Sequence, residues 1–488
     1  MPEPLTLHPD RFFDPDPAIR RAARAIYEDT ATLPIVSPHG HVDPALLAEN
    51  QPFPEPTALL LTPDHYLFRM LYSQGIDFDA LGIPRQGPEG DGQQANADPR
   101  AVWRLFCAHY HLFAGTPSRA WLDYELHDLF GVRVLPSAET ADALYDQVAE
   151  RLADDAFRPR ALFDRFGIEV LCTTDAAADD LRHHAAIRED NAAGTWGGAV
   201  RPCFRPDAVM RIAHPNWRAE IEALEAASGI AIGSYADFVR ALEDRRAFFK
   251  AMGAFATDHA VVVPRTGWAA NVEALFVRAL RDEATADDQA AFEAHFLMEM
   301  ARMSVEDGLV MQLHAGSLRD HNRAVYDRYG LDKGADMPVT TEWTRNLQPL
   351  LNAFGNDPRF RLVAFTLDES TYARELAPIA GHYPALVLGP AWWFHDSIEG
   401  MLRFRERTTE TAGFYNTAGF NDDTRAFCSI PARHDLARRI DATYLGRLVA
   451  RHQVSLGEAR RIGRALAYDL PRRAYRLAEA EAPFSSLA

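Results

Sequence analysis

From residue 168 onward the chain alternates short apolar runs with longer amphipathic segments, and each run stops at a cluster of polar or aromatic side chains. The run 168–174 stops at Asp175, 199–204 at Arg205-Pro206-Asp207, and 253–256 at Asp258-His259. The run 309–313 stops at His314-Ala315-Gly316, 361–366 at Asp368-Glu369, and 385–388 at Gly389-Pro390 and Trp392-Trp393. The last, 415–420, runs into Asp422-Asp423-Thr424-Arg425. Residues 33–36, which lead into Ser37-Pro38-His39-Gly40-His41, bring the number of runs to eight. Helical periodicity marks 216–227, 235–252, 286–305, 341–354, 371–379 and 397–407 between them. Strand–helix alternation on this scale specifies a parallel sheet, and eight units specify a (β/α)8 TIM-type barrel, whose working groups sit at the C-terminal strand ends. An open doubly wound sheet would want a Gly-rich phosphate loop after the first strand, and neither G-x-G-x-x-G nor a Walker motif is present.

The barrel is expected to be one domain over residues 1–488, with a mostly helical insertion at 45–165. Residues 15–30 read as a helix before the first strand, and 59–72, 101–113, 138–152 and 159–166 as helices of the insertion. Residues 86–99, rich in Gly, Gln and Pro, read as a loop. The Arg-rich segment 435–488 is expected to be a solvated or partner-facing helical extension.

Composition excludes several classes. A net charge of −18 gives no basic footprint for nucleic acid. No run approaches 18 apolar residues, so no membrane span is expected, and Met1-Pro2-Glu3-Pro4 lacks the features of a signal peptide. Cys107, Cys172, Cys203 and Cys428 have no metal-type spacing, which suits a reducing cytoplasm. A homo-oligomer is expected.

The chemistry begins at His39-Gly40-His41. Two histidines one residue apart point the same way only on an extended backbone, where both imidazoles can reach one divalent ion. Gly40 removes the side chain between them and opens the backbone to a ligand. His314, at the end of a strongly apolar strand, is a third candidate. Asp423 is a fourth, sharing a face with Arg425 if 419–425 is extended. Two histidines and a carboxylate with open positions make a catalytic divalent-metal site; zinc, manganese and iron all use such a set.

A barrel with His-x-His after its first strand and Asp after its last resembles the amidohydrolase superfamily. Four strings resemble its uronate (glucuronate) isomerase family: Ser37-Pro38-His39-Gly40-His41, Arg201-Pro202-Cys203-Phe204-Arg205-Pro206-Asp207, Leu313-His314-Ala315-Gly316-Ser317-Leu318-Arg319, and the run from Ala412-Gly413-Phe414 to Ser429-Ile430-Pro431-Ala432-Arg433-His434-Asp435. The likeness covers about residues 5–480; residues 85–98 depart from the pattern by being longer and more polar. It implies aldose–ketose isomerisation of D-glucuronate to D-fructuronate and of D-galacturonate to D-tagaturonate. It also implies one divalent metal, zinc first, held by His39, His41 and Asp423. Substrate contacts are implied for His65, Tyr66, Arg205, His314, Arg319, one or both of Trp392 and Trp393, and Arg425, with Asp258 at a further polar position.

The residues suit that chemistry. A guanidinium binds a uronate carboxylate by two parallel hydrogen bonds, and Arg205, Arg319 and Arg425 fall at or just past strand ends. Each could instead pair with a local aspartate such as Asp207 or Asp423. A metal polarises the carbonyl end, and a positioned base and acid must move a proton between neighbouring carbons. Asp423 and Tyr66 are the candidates, with His314 beside them. Tyr66 could equally be packing for the insertion, and His65 could cap a helix. An indole at a strand end packs on a sugar face. The rivals are a mononuclear metal-dependent hydrolase or deaminase, and a sugar-acid binding protein. Two-metal hydrolases of the superfamily need a lysine at the end of the fourth strand; the chain's two lysines, Lys250 and Lys333, fall elsewhere, and the sixth strand ends at Asp368 without a histidine.

Overall fold

The computed structural model describes residues 2–92 and 97–477. Residues 93–96 of the expected loop and 478–488 of the expected extension lie outside the described residues.

The barrel wall is β1 (Ile35–Ser37), β2 (Ile168–Cys172), β3 (Asp175–Ala176), β4 (Val200–Arg201), β5 (Phe204–Arg205), β6 (Ala256–Val261), β7 (Val310–Ala315), β10 (Leu362–Thr366) and β11 (Leu386–Leu388); β8 (Ser317–Leu318) and β9 (Met337–Pro338) form an antiparallel pair at the rim. One parallel ladder runs β1-β2-β4 and another β3-β5-β6-β7-β10-β11. Since β3 continues β2 and β5 continues β4, the two ladders form one wall; Thr173 N–H to Arg201 O and Asp175 N–H to Cys203 O, both 2.9 Å, bridge the gap. Pro202 has no N–H to donate, which accounts for the break between β4 and β5. The run 415–420 is not a ladder strand. It touches the wall through one parallel bridge, Thr417 to Leu388, and His41 N–H to Thr424 O at 3.0 Å joins it to the start of the barrel.

Three other expectations are corrected. The fourth strand begins where 253–256 was expected to end, so Asp258 and His259 lie inside β6, both buried. The helix expected at 341–354 is only Gln348–Phe354, because the Glu375 carboxylate takes the Trp343 and Thr344 N–H groups at 2.5 and 2.9 Å and fixes that stretch as a turn. The helix expected at 59–72 is two, Pro56–Leu60 and His65–Ser73, separated by Pro63.

Helix starts follow a local rule. Asp16-Pro17, Asp43-Pro44, Glu55-Pro56, Asp98-Pro99 and Thr116-Pro117 each supply a capping oxygen to backbone N–H groups and a proline in the first turn. The insertion's helices share one core with the first strands, Trp103, Phe106, Phe130 and Leu162 packing with Ile168 and Leu171. The outer barrel helices pack Phe238, Phe276, Phe292 and Phe296 behind Phe204 and Leu313. Tyr475 enters a third core with Cys172, Cys203, Val310 and Val363, and its hydroxyl donates to Gln312 Oε1 at 2.8 Å.

The C-terminal segment is not a solvated extension. Most of helix Ile430–Ala450 is buried. Basic residues on it point inward to partners: Arg433 donates to Asp396 at 3.1 Å, and Arg438 to the carbonyls of Ala31, Leu33 and Pro34 just ahead of β1, while its Asp441 accepts from Arg405 of helix Ile398–Ala412 at 2.7 and 3.0 Å.

Candidate active site

The polar strand ends converge on a cavity of about 570 Å³ at the C-terminal mouth of the barrel, lined by His41, His65, Tyr66, Arg205, His314, Arg319, Trp392, Trp393, Asp423 and Arg425. His39 lies just beneath, 1% exposed. The His39 and His41 ring centroids are 5.2 Å apart, and Asp423 Oδ1 stands 3.4 Å from His39 Nε2 and 3.1 Å from His41 Nε2. One ligand atom from each of the three residues falls within 4.8 Å of the others. The other oxygen of Asp423 accepts the Trp392 indole N–H at 2.7 Å, which fixes the carboxylate's orientation. Two imidazoles and an oriented carboxylate suit a divalent cation.

Burial opposes charge at His39 and Asp423, yet their neighbours outweigh it. The Asp423 and Asp258 carboxylates hold His39 well above the ordinary imidazole range, and the two histidines hold Asp423 well below the carboxylate range. At His41 and His314 burial prevails and lowers the pKa.

Asp423 and Arg425 do not share an extended face. Asp423 has φ of 41°, a left-handed conformation that a short polar residue tolerates and that clusters at functional sites. Gly40 is not required by crowding: an added Cβ would come no closer than 3.5 Å to any neighbour.

His314 stacks on both His39 and Phe365, with centroids 4.7 and 4.1 Å away. Its Nδ1 is 2.7 Å from Asp258 Oδ1, while its Nε2 is buried without a partner. Asp258, expected to touch substrate, is 1% exposed and absent from the cavity wall. It reaches the site through His314, through Arg205 Nη1 at 3.5 Å and through its charge on His39. His39, Asp258 and His314 also lie close enough to hold a cation, but the last two already satisfy each other.

The three expected arginines all reach the cavity and all carry local partners. Arg205 Nε donates to Asp207 at 2.9 Å, Arg319 Nη1 to Asp336 at 3.2 Å, and Arg425 Nη2 to Asp332 at 2.8 Å. Arg425 pairs with Asp332 instead of Asp423. Trp392 spends its N–H on Asp423; the Trp393 N–H is buried without a partner, and its ring meets His65 edge-on at 4.9 Å. Asp64, not His65, caps the helix by accepting the Tyr66 N–H at 2.8 Å. Burial and the nearby Arg425 charge push His65 down to about 3, so it is neutral. Burial and Asp396 push the Tyr66 phenol well above its ordinary range, so it keeps its proton.

Sequence reasoning passed over Asp396, which accepts from Tyr66; Arg433, which pairs with Asp396; and Asp332, which sits between Arg319 and Arg425. Arg433 belongs to the run Ser429-Ile430-Pro431-Ala432-Arg433-His434-Asp435, but nothing in its spacing indicates that it faces the cavity.

This constellation agrees with what the chain is similar to. A family model described as glucuronate isomerase matches residues 17–474. The uronate isomerase of Xanthomonas campestris pv. campestris is 53% identical over 479 residues, 98% of this chain and all of that protein. The crystal structure of glucuronate isomerase from Caulobacter crescentus superposes with a TM-score of 0.94 at 49% identity, covering 99% of both chains. That of uronate isomerase from Thermotoga maritima superposes at 0.88 and 26% identity, covering 96% of this chain and 99% of its own. A (β/α)8 barrel with these residues at its mouth, matched over nearly its whole length, belongs to the glucuronate (uronate) isomerase family.

Proposed function

We propose that the chain interconverts D-glucuronate with D-fructuronate and D-galacturonate with D-tagaturonate, using one divalent metal held by His39, His41 and Asp423. The observation that carries this reading is the union, in one cavity, of that donor set with arginines able to read a carboxylate. Zinc is the first choice of metal, with manganese and iron compatible with the same ligands. When bound, the ion supplies Lewis acidity at the carbonyl end of the sugar.

The chain's own residues supply the rest. Arg205, Arg319 and Arg425 are placed to bind the uronate carboxylate, and Trp393 offers an apolar face and a free N–H. Isomerisation requires a proton to leave one carbon and reach its neighbour through an enediol. Asp423, an ionised carboxylate, suits the base. Tyr66 keeps its proton and donates it to Asp396, so its remaining lone pair suits acceptance from a sugar hydroxyl. The lone pair of His314 Nε2 suits acceptance from a hydroxyl.

A hydrolase reading gains nothing from the geometry. Lys250 binds the Asp307 carbonyl on the outside of the barrel and Lys333 binds the Leu331 carbonyl in a loop, so neither bridges metals. The four cysteines are free and buried, which supports a reducing cytoplasm, and among the described residues no helix is long and apolar enough to cross a membrane. A homo-oligomer, and a single domain over 1–488 with the 45–165 insertion inside it, complete the proposal; light scattering and limited proteolysis test them. The deciding assay is incubation with D-glucuronate and detection of the ketose. Consumption with no ketose, or no consumption by metal-loaded protein, refutes the reading.

A further inference from the structure

Tyr66 enters the cavity from the helical insertion, on helix His65–Ser73, yet both partners of its hydroxyl come from the barrel. The hydroxyl donates to Asp396 Oδ1 at 2.9 Å and accepts the Phe394 N–H at 3.1 Å. The other oxygen of Asp396 accepts from Arg433 Nη1 at 3.1 Å. Arg433 is 3% exposed, donates through Nε to Ser429 Oγ at 3.0 Å, and lies 3.6 Å over the ring of Trp121. Trp121 belongs to a second helix of the insertion, Pro117–Tyr124, and meets Tyr66 edge-to-face at 5.6 Å. The chain of contacts therefore leaves the insertion at Tyr66, crosses the loop after β11 and the C-terminal helix, and returns to the insertion at Trp121.

A buried arginine–carboxylate pair rarely adds stability over an apolar replacement, because desolvation consumes the attraction. This one does something an apolar pair could not. Arg433 keeps Asp396 an acceptor, so the phenol proton has a fixed destination. The Phe394 N–H fixes the second position around the oxygen. The phenol then presents its remaining lone pair to the cavity in one orientation.

We propose that Asp396 and Arg433 are positioning residues for Tyr66. They act on the isomerase reaction by aiming its hydroxyl, and they tie the insertion to the barrel mouth through it. The proposal rests on the isomerase reading above.

Asp396→Asn tests it by reversing one hydrogen bond without changing shape. The amide oxygen must face Arg433, since the amide nitrogen would meet donors there. The amide nitrogen then faces the Tyr66 oxygen, which already accepts from Phe394, and the phenol proton loses its acceptor. A double-mutant cycle on D-glucuronate compares wild type, Asp396→Asn, Tyr66→Phe and the double variant, all at equal metal content. The expected result is a loss of at least about tenfold in kcat for Asp396→Asn, but less than about twofold for the same change on the Tyr66→Phe background, since residues acting as one unit are non-additive. A normal kcat in Asp396→Asn, or an equal loss on both backgrounds, overturns the proposal. A role in folding alone would produce the equal loss. If Asp396→Asn does not fold, judged by circular dichroism, Arg433→Lys runs the same cycle under the same criteria. A wild type that forms no ketose refutes the isomerase reading itself, before any variant is compared.

Discussion

Replacing Arg205 by Met separates carboxylate recognition from everything else in the cavity. The side chain is 22% exposed; its Nε donates to Asp207 Oδ2 at 2.9 Å and its Nη1 lies 3.5 Å from Asp258 Oδ2. Asp207 is itself held by the Ala260 N–H at 3.1 Å, and Asp258 by His314 at 2.7 Å. Removing the cation leaves two buried carboxylates short of a partner. The range for breaking a buried pair is about 3–5 kcal/mol, and the low end applies here because both carboxylates keep another donor. A substrate carboxylate that loses its fork-like partner costs about 2–5 kcal/mol, or roughly 30- to 5,000-fold in kcat/KM. Thermal melting reads the first loss and kinetics the second. Arg205→Lys keeps the charge and loses the planar fork, so it should raise KM with little change in melting temperature. A chain of net charge −18 repels an anion at long range, so capture must depend on such local contacts. The control is D-glucose, which lacks the carboxylate: any turnover of it by the wild type should survive Arg205→Met nearly unchanged. Met variants of Arg319 and Arg425 complete the set. If none of the three discriminates between uronate and neutral sugar, the carboxylate is not read by these arginines, and the placement of the substrate in the barrel mouth is wrong.

Four further outcomes are expected. His39→Ala and His41→Ala should lower metal content and activity together, and full occupancy in the double variant, by elemental analysis, would remove the ligand assignment. Asp423→Asn should lower kcat by at least ~100-fold, the scale of a general acid–base group, and a near-normal kcat would take Asp423 out of catalysis. Trp392→Phe deletes the indole donor to Asp423 Oδ2 and should weaken metal affinity by roughly 10- to 100-fold; unchanged affinity by chelator competition counts against an orienting role. Burial, with Asp64 adding to it, raises Glu125 from its ordinary range to about 8, so the folded state holds a proton that the unfolded state releases above about pH 4.5. Stability on this account is full below that pH, falls as pH rises towards 8, and is level beyond. Glu125→Gln should therefore raise the melting temperature at pH 7.5 and not at pH 4, and an equal shift at both would refute the assignment.

What could be read from the sequence was whatever local chemistry decides. Cap-and-proline pairs such as Asp98-Pro99 fix helix starts within a few residues of chain, and His39-Gly40-His41 announces its geometry because alternation on an extended backbone is a local property. The polar residues after each apolar run located the mouth of the barrel for the same reason. What resisted reading depends on partners remote in sequence. Asp258 looked like a strand-end group because a charged residue ordinarily ends a strand; it sits inside β6 because His314 and Arg205 neutralise it there, and only the fold brings those three together. The arginines of the C-terminal helix read as a solvated face because arginine usually is one. Arg433 and Arg438 turn inward because Asp396 and three carbonyls ahead of β1 await them. The stretch at 415–420 has strand composition yet makes one bridge, and beyond it Asp423 takes a left-handed conformation facing both histidines. At Asp258, Arg433 and Asp423 the departure from local preference occurs where a side chain is held in or beside the cavity. That is where a chain gives up local preference for function.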